Sequence, residues 1–179
     1  DQGEEASTLA LCDAVLARSG QVDVLVNNAV LQTNPMRSLH EDALEFAASM
    51  RVNSTGLFII TRAFGDEMAK RGTGSIINVG SIHGLIGTDP NIYRGTTMSG
   101  WRPHYFFYKG GMVNFTRFIG SYYGLQGVRC NCICPGGYRY QQPEQFVRQY
   151  SERTFLGRMA NDTDLQGIVV FLASDASAY

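Results

Sequence analysis

The stretch Tyr105-Phe-Phe-Tyr-Lys109-Gly-Gly-Met-Val-Asn-Phe-Thr-Arg-Phe is flanked by two short apolar runs, Ser75-Ile-Ile-Asn-Val-Gly80 before it and Val128–Cys134 after it. Both runs have the length and apolar character of buried strands. The stretch between them predicts a helix that continues to about Gly124. Strands that alternate with helices in this way indicate a parallel sheet covered by helices.

The same alternation extends over the whole chain. Its order is helix, strand, helix, strand, helix, strand, helix, which predicts an α/β fold with a doubly wound, Rossmann-like parallel sheet in a single domain over residues 1–179. The other predicted elements are a helix over 4–19, a strand over Val22–Asn27, a polar loop as far as Ser38, a long helix from the capping box Ser38-Leu-His-Glu41 to Gly72, a short helix from Pro143 to Ser151, and a last helix capped by Asn161-Asp-Thr-Asp164.

The composition is that of an ordinary globular protein. The 179 residues are 44% apolar and 17% charged, with a net charge of −1. The 15 basic residues are scattered along the chain, which disfavours a nucleic-acid partner. No apolar run approaches the roughly 20 residues that span a bilayer, and the sequence does not open on a signal-peptide pattern. These features predict a cytoplasmic protein without a membrane partner.

Tyr105 and Lys109 are four residues apart in the predicted helix, so their side chains share one helical face. A cation beside a phenol favours the phenolate. The pair is therefore a candidate proton donor and acceptor. Tyr108 lies directly before Lys109, but adjacent helical residues point about 100° apart, so we do not expect Tyr108 to take this role.

Three cysteines, Cys130, Cys132 and Cys134, alternate along the third predicted strand and would share one of its faces. They indicate either a metal or redox cluster or small side chains that fill a buried surface in a reducing compartment. Zinc-ligand spacing and a Cys-x-x-Cys motif are both absent from the sequence, which favours packing. A thiolate that is unusually reactive at neutral pH would favour the redox alternative.

Four motifs follow one another at positions that the predicted elements make informative. They are Leu25-Val-Asn27-Asn28-Ala29 at a strand end, Val52-Asn53-Ser-Thr-Gly inside the long helix, Ile77-Asn78-Val-Gly-Ser81 at the next strand end, and Tyr105 to Lys109 followed by Arg129-Cys-Asn131-Cys-Ile-Cys-Pro135-Gly136. In this order they resemble the motifs of the short-chain dehydrogenase/reductase family, and the resemblance covers nearly the whole chain.

The resemblance implies a nicotinamide cofactor, NAD or NADP, and an enzyme that exchanges hydride with a carbonyl or alcohol carbon of a small-molecule substrate. The implied cofactor-binding residues are Asn27, Asn28, Ala29, Tyr105, Lys109, Pro135, Gly136 and Gly137. These residues lie at strand ends or on the Tyr105 helix, and ligands of open parallel sheets bind outside the carboxyl ends of the strands.

The resemblance also implies a catalytic set of Asn53, Ser81, Tyr105 and Lys109. Tyr105 would transfer the proton to or from the substrate oxygen, which Ser81 would hold. Lys109 would favour the phenolate and bind the nicotinamide ribose.

Asn53 begins Asn53-Ser-Thr-Gly, four poor helix formers in the middle of a helix. This run predicts either a tolerated weak turn or a local distortion that frees a carbonyl. In the second case the resemblance implies a water, anchored there, that leads to Lys109.

Between Ser81 and Tyr105 there are roughly ten residues more than the family usually has, within the segment from Asp89 to Trp101, and we interpret this insert as a loop that faces the substrate. Tyr93, Arg94 and Trp101 are predicted to form a polar and aromatic wall for a sugar or an anionic group, although an exposed surface loop would fit equally. His83 is a loop histidine or a substrate contact. The insert favours a sugar, polyol or sugar-acid substrate.

Three departures from the family pattern qualify these expectations. Val30 replaces a glycine, and Tyr140 stands where many members have a threonine. The glycine-rich phosphate turn is not found near Asp1, so the chain is expected to lack the first two βα units and the last strand. As a C-terminal catalytic fragment it would bind dinucleotide poorly and be inactive alone. The alternative is a non-catalytic subunit that associates as a homodimer or homotetramer through helices 39–71 and 104–124.

Overall fold

A computed structural model of the protein describes residues 1–33 and 38–179. The strands are β1 (Val24–Asn27), β2 (Gly74–Val79) and β3 (Val128–Ile133). The helices are α1 (Glu5–Ser19), α2 (Ala43–Met50), α3 (Gly56–Arg71), α4 (Pro103–Tyr123), α5 (Glu144–Ser151) and α6 (Gln166–Ala173). The order of strands and helices predicted from the sequence is confirmed over this part of the chain.

The three strands form a parallel sheet in the order β1-β2-β3. Helices α1, α3 and α4 cover one face, where the core contains Cys12, Phe64, Ile76, Ile119 and Val128. Helix α6 covers the opposite face through Leu172, which packs on Ile77 and Ile133. Helices on both faces of a parallel sheet confirm the Rossmann-like α/β prediction.

The long helix predicted from Ser38 is instead two helices joined by a π-helical turn, Arg51–Thr55. Helix α2 begins at Ala43, where the Asp42 carboxylate accepts from the Leu44 N–H at 2.7 Å. The predicted capping box is therefore wrong. Its Glu41 carboxylate lies against the imidazole of His104 and cannot bond the first turn of a helix.

Two further boundaries differ from the prediction. Pro143 precedes the first turn of α5 instead of lying within it. The run Asn161–Asp164 closes its own turn, because Asn161 Oδ1 accepts from the Thr163 N–H and Asp164 Oδ2 accepts from the Asn161 N–H. Helix α6 consequently begins only at Gln166. The part of the predicted polar loop at residues 34–37 lies outside the described residues.

A small separate core supports the insert between β2 and α4. A short 3₁₀ helix, Pro90–Tyr93, packs on α5, and the buried residues Ile92, Phe146, Val147 and Met159 meet between them. The insert is therefore anchored to the C-terminal part of the chain, beside the carboxyl ends of β2 and β3. None of the helices in the described ranges is long and apolar enough to cross a membrane.

Candidate active site

A cavity of about 360 Å³ opens at the carboxyl ends of β2 and β3. One side, which we call the catalytic wall, is formed by Ser81 after β2 and Tyr105 on α4. The opposite side, which we call the substrate wall, is formed by the insert between β2 and α4, by α5, and by the small core that joins them. It includes Tyr93, Met98, Ser99, Phe146, Tyr150 and Met159. The structure thus brings together the two hydroxyl groups that the sequence singled out.

Ser81 is buried in a turn that is tied to the end of β3. The Gly80 N–H donates to the Ile133 carbonyl at 2.7 Å, and the Ile82 N–H donates to the Pro135 carbonyl at 3.0 Å. The Ser81 hydroxyl accepts from the His83 N–H at 3.1 Å. These bonds fix the direction of the hydroxyl while leaving its own proton available to a ligand in the cavity.

Lys109 lies behind Tyr105 with only 6% of its surface exposed. Its Nζ donates to the Val79 carbonyl at 2.5 Å and lies 5.8 Å from the centre of the Tyr105 ring. Burial lowers the pKa of the Lys109 amine, although the nearby Cys132 and Cys134 thiols oppose the shift. The amine is therefore held between the end of β2 and the phenol that faces the cavity.

Gly84 allows the turn after Ser81 to approach α4 closely. A Cβ atom at this position would lie 2.6 Å from the Lys109 carbonyl oxygen, which is closer than two non-bonded atoms can come. Any larger residue would push the Ser81 turn away from α4. The glycine therefore helps to hold the Ser81 turn against the helix of Tyr105 and Lys109.

Tyr105 and Tyr108 are neighbours in sequence but differ in environment. Tyr105 is partly exposed and lines the cavity. Tyr108 is 3% exposed, and its hydroxyl has no hydrogen-bond partner among the described residues. Burial raises the pKa of the Tyr108 phenol. Of these two tyrosines, Tyr105 is the one that lines the cavity.

Asn53 lies in the π-helical turn and is buried. Its side-chain Oδ1 accepts from the Leu31 N–H at 2.8 Å, and its Nδ2 donates to the Leu31 carbonyl at 2.7 Å. The local distortion expected from Asn53-Ser-Thr-Gly is thus present. The side chain of Asn53 fixes the loop that follows β1, a contact that the sequence did not predict.

The two asparagines after β1 have different environments. The Asn27 amide is buried and donates to Asn78 at 2.8 Å and to Thr61 at 3.1 Å, and Asn78 continues the chain to Thr116 at 2.8 Å. The side chain of Asn27 therefore links strand to strand and sheet to helix. Asn28, like the following Ala29, is exposed at the strand end.

The loop after β3 lies at the edge of the cavity. Gly136 and Gly137 line it, whereas Pro135 contributes its carbonyl to the Ser81 turn. The Gly137 N–H donates to the Tyr150 hydroxyl at 2.5 Å. Tyr150 on α5 thus fixes the loop that was predicted to contact the cofactor. Tyr140 is exposed and does not line the cavity.

The four predicted substrate contacts separate into two pairs. His83 and Tyr93 line the cavity. His83 stacks on Phe106 with ring centres 4.7 Å apart, and its pKa is lowered by burial and by the charge of Arg102. Tyr93 packs on Phe146 at 5.2 Å.

Arg94 and Trp101 do not line the cavity, so the structure does not assemble the predicted three-residue wall. Arg94 follows the 3₁₀ helix, which turns it outward, where it donates to Asn91 at 3.1 Å. Trp101 is 53% exposed and belongs to a separate apolar groove with Leu39 and Phe106.

Arg102 lines the cavity although the sequence analysis did not select it. The available signal was only its place in the chain, because Arg102 directly precedes the first residue of α4 and lies three residues before Tyr105. Tyr150 and Met159 reach the cavity only through the packing of α5 and the following segment on the insert. No local pattern in the sequence could have shown that packing.

Cys130, Cys132 and Cys134, in β3 and directly after it, are partly buried. Burial raises the pKa of Cys130 to about 12 and that of Cys132 to about 11. Such thiols are less reactive than an exposed cysteine, which argues against the redox alternative. Among residues 1–33 and 38–179, no group of three His, Cys, Asp or Glu side chains is arranged to hold a metal ion.

The fold and site define a Rossmann-like protein with a serine, tyrosine and lysine at the carboxyl ends of its strands. A family model described as Enoyl-(Acyl carrier protein) reductase matches residues 1–179. The chain is 32% identical over 168 residues to an L-rhamnose 1-dehydrogenase (NAD(P)(+)) of Sphingomonas sp. (strain SKA58), covering 89% of this chain and 61% of that protein.

Two solved structures are similar over almost the entire chain. A short chain dehydrogenase from Leptospira borgpetersenii with bound NAD+ superposes with a TM-score of 0.88 at 30% identity, over 100% of this chain and 68% of that one. A gluconate 5-dehydrogenase from Burkholderia cenocepacia J2315, in complex with NADP and tartrate, superposes with a TM-score of 0.86 at 29% identity. The match covers 99% of this chain and 68% of that one.

These similarities show that the chain belongs to the short-chain dehydrogenase/reductase family. It spans about three fifths of the length of the rhamnose dehydrogenase. The relatives named here include proteins that carry NAD+ or NADP in their structures or names.

Proposed function

We propose that this chain is the catalytic part of an NAD- or NADP-dependent oxidoreductase. The enzyme transfers a hydride between the nicotinamide and a carbonyl or secondary alcohol carbon of a sugar, polyol or sugar acid. One observation carries the proposal: Ser81 and Tyr105 line the same cavity, and the buried Lys109 amine lies 5.8 Å from the Tyr105 ring. These are the groups that proton transfer to a substrate oxygen requires.

In alcohol oxidation, Tyr105 takes the hydroxyl proton of the substrate while the Ser81 hydroxyl donates to the same oxygen. In carbonyl reduction, Tyr105 returns that proton. Lys109 keeps a positive charge next to the phenolate form of Tyr105, so the proton is released more readily. Burial lowers the pKa of the Lys109 amine, so this amine releases its proton more readily than an exposed lysine does.

The residues present fit the nicotinamide and ribose part of a dinucleotide. An ammonium group has three donors, and Lys109 directs one of them to the Val79 carbonyl. Asn28 and Gly136 lie at the carboxyl ends of β1 and β3 with exposed surface. Lys109 and Tyr105 would hold the ribose hydroxyls, and the bound nicotinamide would supply the hydride donor or acceptor.

Asn53 acts as a positioning residue in this proposal. Its two bonds to the backbone of Leu31 hold the loop that leaves β1, next to the exposed Asn28 and Ala29. A loop fixed in this way presents a constant surface to the cofactor. The same proposal includes the water that the family resemblance implies at Asn53, which would lead to Lys109.

The cavity lining supports a polyhydroxylated substrate. Its polar side chains include Gln32, Ser99, Tyr138 and Gln142, distributed over several elements. Hydroxyl and amide groups of this kind hydrogen-bond sugar hydroxyls. The names of relatives that act on L-rhamnose and gluconate agree with this substrate class.

A second candidate function is a non-catalytic subunit that associates through its helices. Phe58 on α3 and three aromatic residues of α4 are exposed: Phe107, Phe118 and Tyr122. Exposed aromatic surface of this extent favours a homodimer or homotetramer. The grouping of Ser81, Tyr105 and Lys109 at one cavity favours the enzyme, and the two functions can coexist in one oligomer.

Replacing the two neighbouring tyrosines separately tests the enzyme proposal. In the complete gene product, Tyr105→Phe should lower kcat by roughly 10²- to 10⁴-fold, the usual contribution of a general acid–base group. Its affinity for NAD(P)H, measured by fluorescence titration, should stay nearly unchanged. Tyr108→Phe is the matched control and should keep its activity, because the Tyr108 hydroxyl is enclosed. Full activity of Tyr105→Phe would exclude the proposed mechanism.

A further inference from the structure

Tyr150 on α5 lies where the substrate wall meets the loop that follows β3. Its hydroxyl accepts from the Gly137 N–H at 2.5 Å, and the residue lines the cavity. Its ring packs on that of Phe146, with 5.8 Å between the centres. Tyr150 therefore joins the packed side chains of the substrate wall to the backbone of this loop.

Two glycines allow Tyr150 to approach the loop closely. A Cβ atom at Gly137 would lie 2.9 Å from the Tyr150 ring, and one at Gly136 would lie 3.1 Å from the Tyr150 hydroxyl oxygen. Both distances are shorter than ordinary van der Waals contacts, so a side chain at either position would push the loop away from the phenol. The close contact between phenol and loop thus depends on this pair of glycines.

The insert between β2 and α4 holds α5 in place. Gln145 Nε2 donates to the Arg94 carbonyl at 2.9 Å, and Gln149 Nε2 donates to the Ile92 carbonyl at 3.1 Å. Gln149 directly precedes Tyr150. The phenol is therefore carried by a helix that hydrogen bonds fix to the insert.

The Tyr150 hydroxyl still has a proton to donate. A phenol can donate one hydrogen bond as well as accept. In the described ranges, the Tyr150 oxygen accepts from Gly137, and its proton is donated to no other group. Since Ser81 and Tyr105 line the same cavity, one bound molecule can contact all three hydroxyl groups.

The loop that Tyr150 contacts also adjoins the catalytic wall. The Pro135 carbonyl accepts from the N–H of Ile82, the residue after Ser81, at 3.0 Å. The loop leaves the carboxyl end of β3, the end at which parallel sheets bind their ligands. The bond between Tyr150 and Gly137 therefore acts on backbone that borders both Ser81 and the proposed cofactor position.

We propose that Tyr150 couples the binding of the substrate to the binding of the cofactor. In this assignment, which rests on the proposed dehydrogenase function, its hydroxyl donates to a substrate oxygen other than the reacting one and accepts from the Gly137 N–H. Hydrogen bonds in such a chain polarise and strengthen one another. A bound substrate thus holds the loop more firmly against the cofactor, and the cofactor raises the affinity for the substrate by the same factor.

An equilibrium titration measures this coupling without turnover, because a reduced cofactor and an alcohol cannot react with each other. Galactitol, xylitol and D-glucitol are first compared as substrates of the complete gene product with NAD+ or NADP+. The alditol that is oxidised fastest should then lower the Kd of NADH or NADPH by roughly 5-fold or more at saturation. In Tyr150→Phe, which keeps the ring but lacks the hydroxyl, the same alditol should lower that Kd by less than about 2-fold.

Tyr140→Phe is the matched control, because Tyr140 is exposed and does not line the cavity. This variant should keep the coupling of the wild type. Steady-state kinetics adds a readout that general destabilisation would not give. Tyr150→Phe should raise KM for the alditol by roughly 2- to 10-fold, the loss of one hydrogen bond, with kcat nearly unchanged.

The outcomes separate the coupling from the chemistry. If an alditol is oxidised but does not change the Kd of the reduced cofactor, or changes it equally in wild type and Tyr150→Phe, the coupling is wrong while the dehydrogenase proposal stands. If no alditol is oxidised, titration with reduced cofactor alone decides, because the bond to Gly137 holds the loop without substrate. A Kd that rises by about 2-fold or more in Tyr150→Phe and not in Tyr140→Phe supports the assignment, and equal Kd values overturn it.

Discussion

The two walls of the cavity are stabilised by different kinds of polar contact. Behind the catalytic wall the contacts are buried: Lys109 with the Val79 carbonyl, and the carboxylate of Glu41 with His104, side chains that are 2% and 1% exposed. The contacts around the substrate wall are exposed ion pairs, Arg153 with Asp89 and Arg158 with Asp164.

This difference has an energetic consequence. When a buried polar group loses its partner, the folded protein is destabilised by the full desolvation cost of that group. An exposed ion pair, in contrast, contributes only about 0–1 kcal/mol to the free energy of unfolding. The catalytic wall should therefore tolerate few substitutions, and the substrate wall should tolerate many. With this division, the substrate wall can change to fit another substrate while the catalytic wall keeps its structure.

Disruption of the buried Glu41–His104 pair is expected to have the largest effect on the free energy of unfolding. His104, which directly precedes Tyr105, has its Nδ1 atom 2.6 Å from Glu41 Oε1. His104→Leu leaves the carboxylate buried without its imidazole, so the free energy of unfolding should fall by about 3–5 kcal/mol. Chemical denaturation of the purified variant measures this loss.

The double variant Glu41→Leu/His104→Leu is the control for that prediction. Removing both polar partners should restore part of the stability, because a well-packed apolar pair avoids the desolvation cost. A single-variant loss below about 1 kcal/mol, the value of an exposed pair, would remove the proposed contrast between the walls.

Ser81 and Ser99 compare the walls directly, since one serine lies on each side of the same cavity. Ser81→Ala should lower kcat by roughly 10²- to 10³-fold, as the loss of one donor to a developing oxyanion does. Ser99→Ala should act on KM and leave kcat nearly unchanged, because it removes contact with an unreactive part of the substrate. Steady-state kinetics with the best sugar-acid or polyol substrate measures kcat and KM for both variants. Equal kcat losses in both variants would contradict the separation of roles.

Local patterns were enough to predict that Ser81 and Tyr105 lie at the same edge of the sheet. The strands, the four-residue spacing of Tyr105 and Lys109, and the place of Ser81 at a strand end all follow from short-range periodicity. The side chains of one helical face and the carboxyl ends of parallel strands converge wherever the fold forms.

The substrate wall could not be predicted in the same way. Arg94 and Trp101 were expected in the cavity, but the packing of Ile92 on α5 turns that part of the insert outward and leaves Arg102 inside. The capping box at Ser38 failed for a similar reason, because the buried contact of Glu41 with His104 outweighs a local cap. In each case a tertiary contact selected among locally acceptable conformations.

The Arg158–Asp164 pair provides the smallest expected effect, and its sign can be worked out. The hydrogen bond from Arg158, followed by that from the Asn161 N–H, lowers the pKa of Asp164 from 3.8 to about 2. A carboxylate with a depressed folded-state pKa stabilises the protein above its unfolded pKa. That contribution is lost as the pH falls from 3.8 towards 2. Asp164→Asn should therefore be slightly less stable than wild type at pH 7, and the difference should vanish near pH 2.

Thermal unfolding of both proteins between pH 2 and 7 measures this change. Arg158 also donates to the Met159 carbonyl at 3.0 Å, so the pair holds a segment of the substrate wall. Because both partners are solvated, salt should weaken the contribution, whereas the loss in His104→Leu should not depend on salt. A stability difference in Asp164→Asn that persists at pH 2, or that resists high salt, would contradict the assignment of this pair as an exposed electrostatic contact.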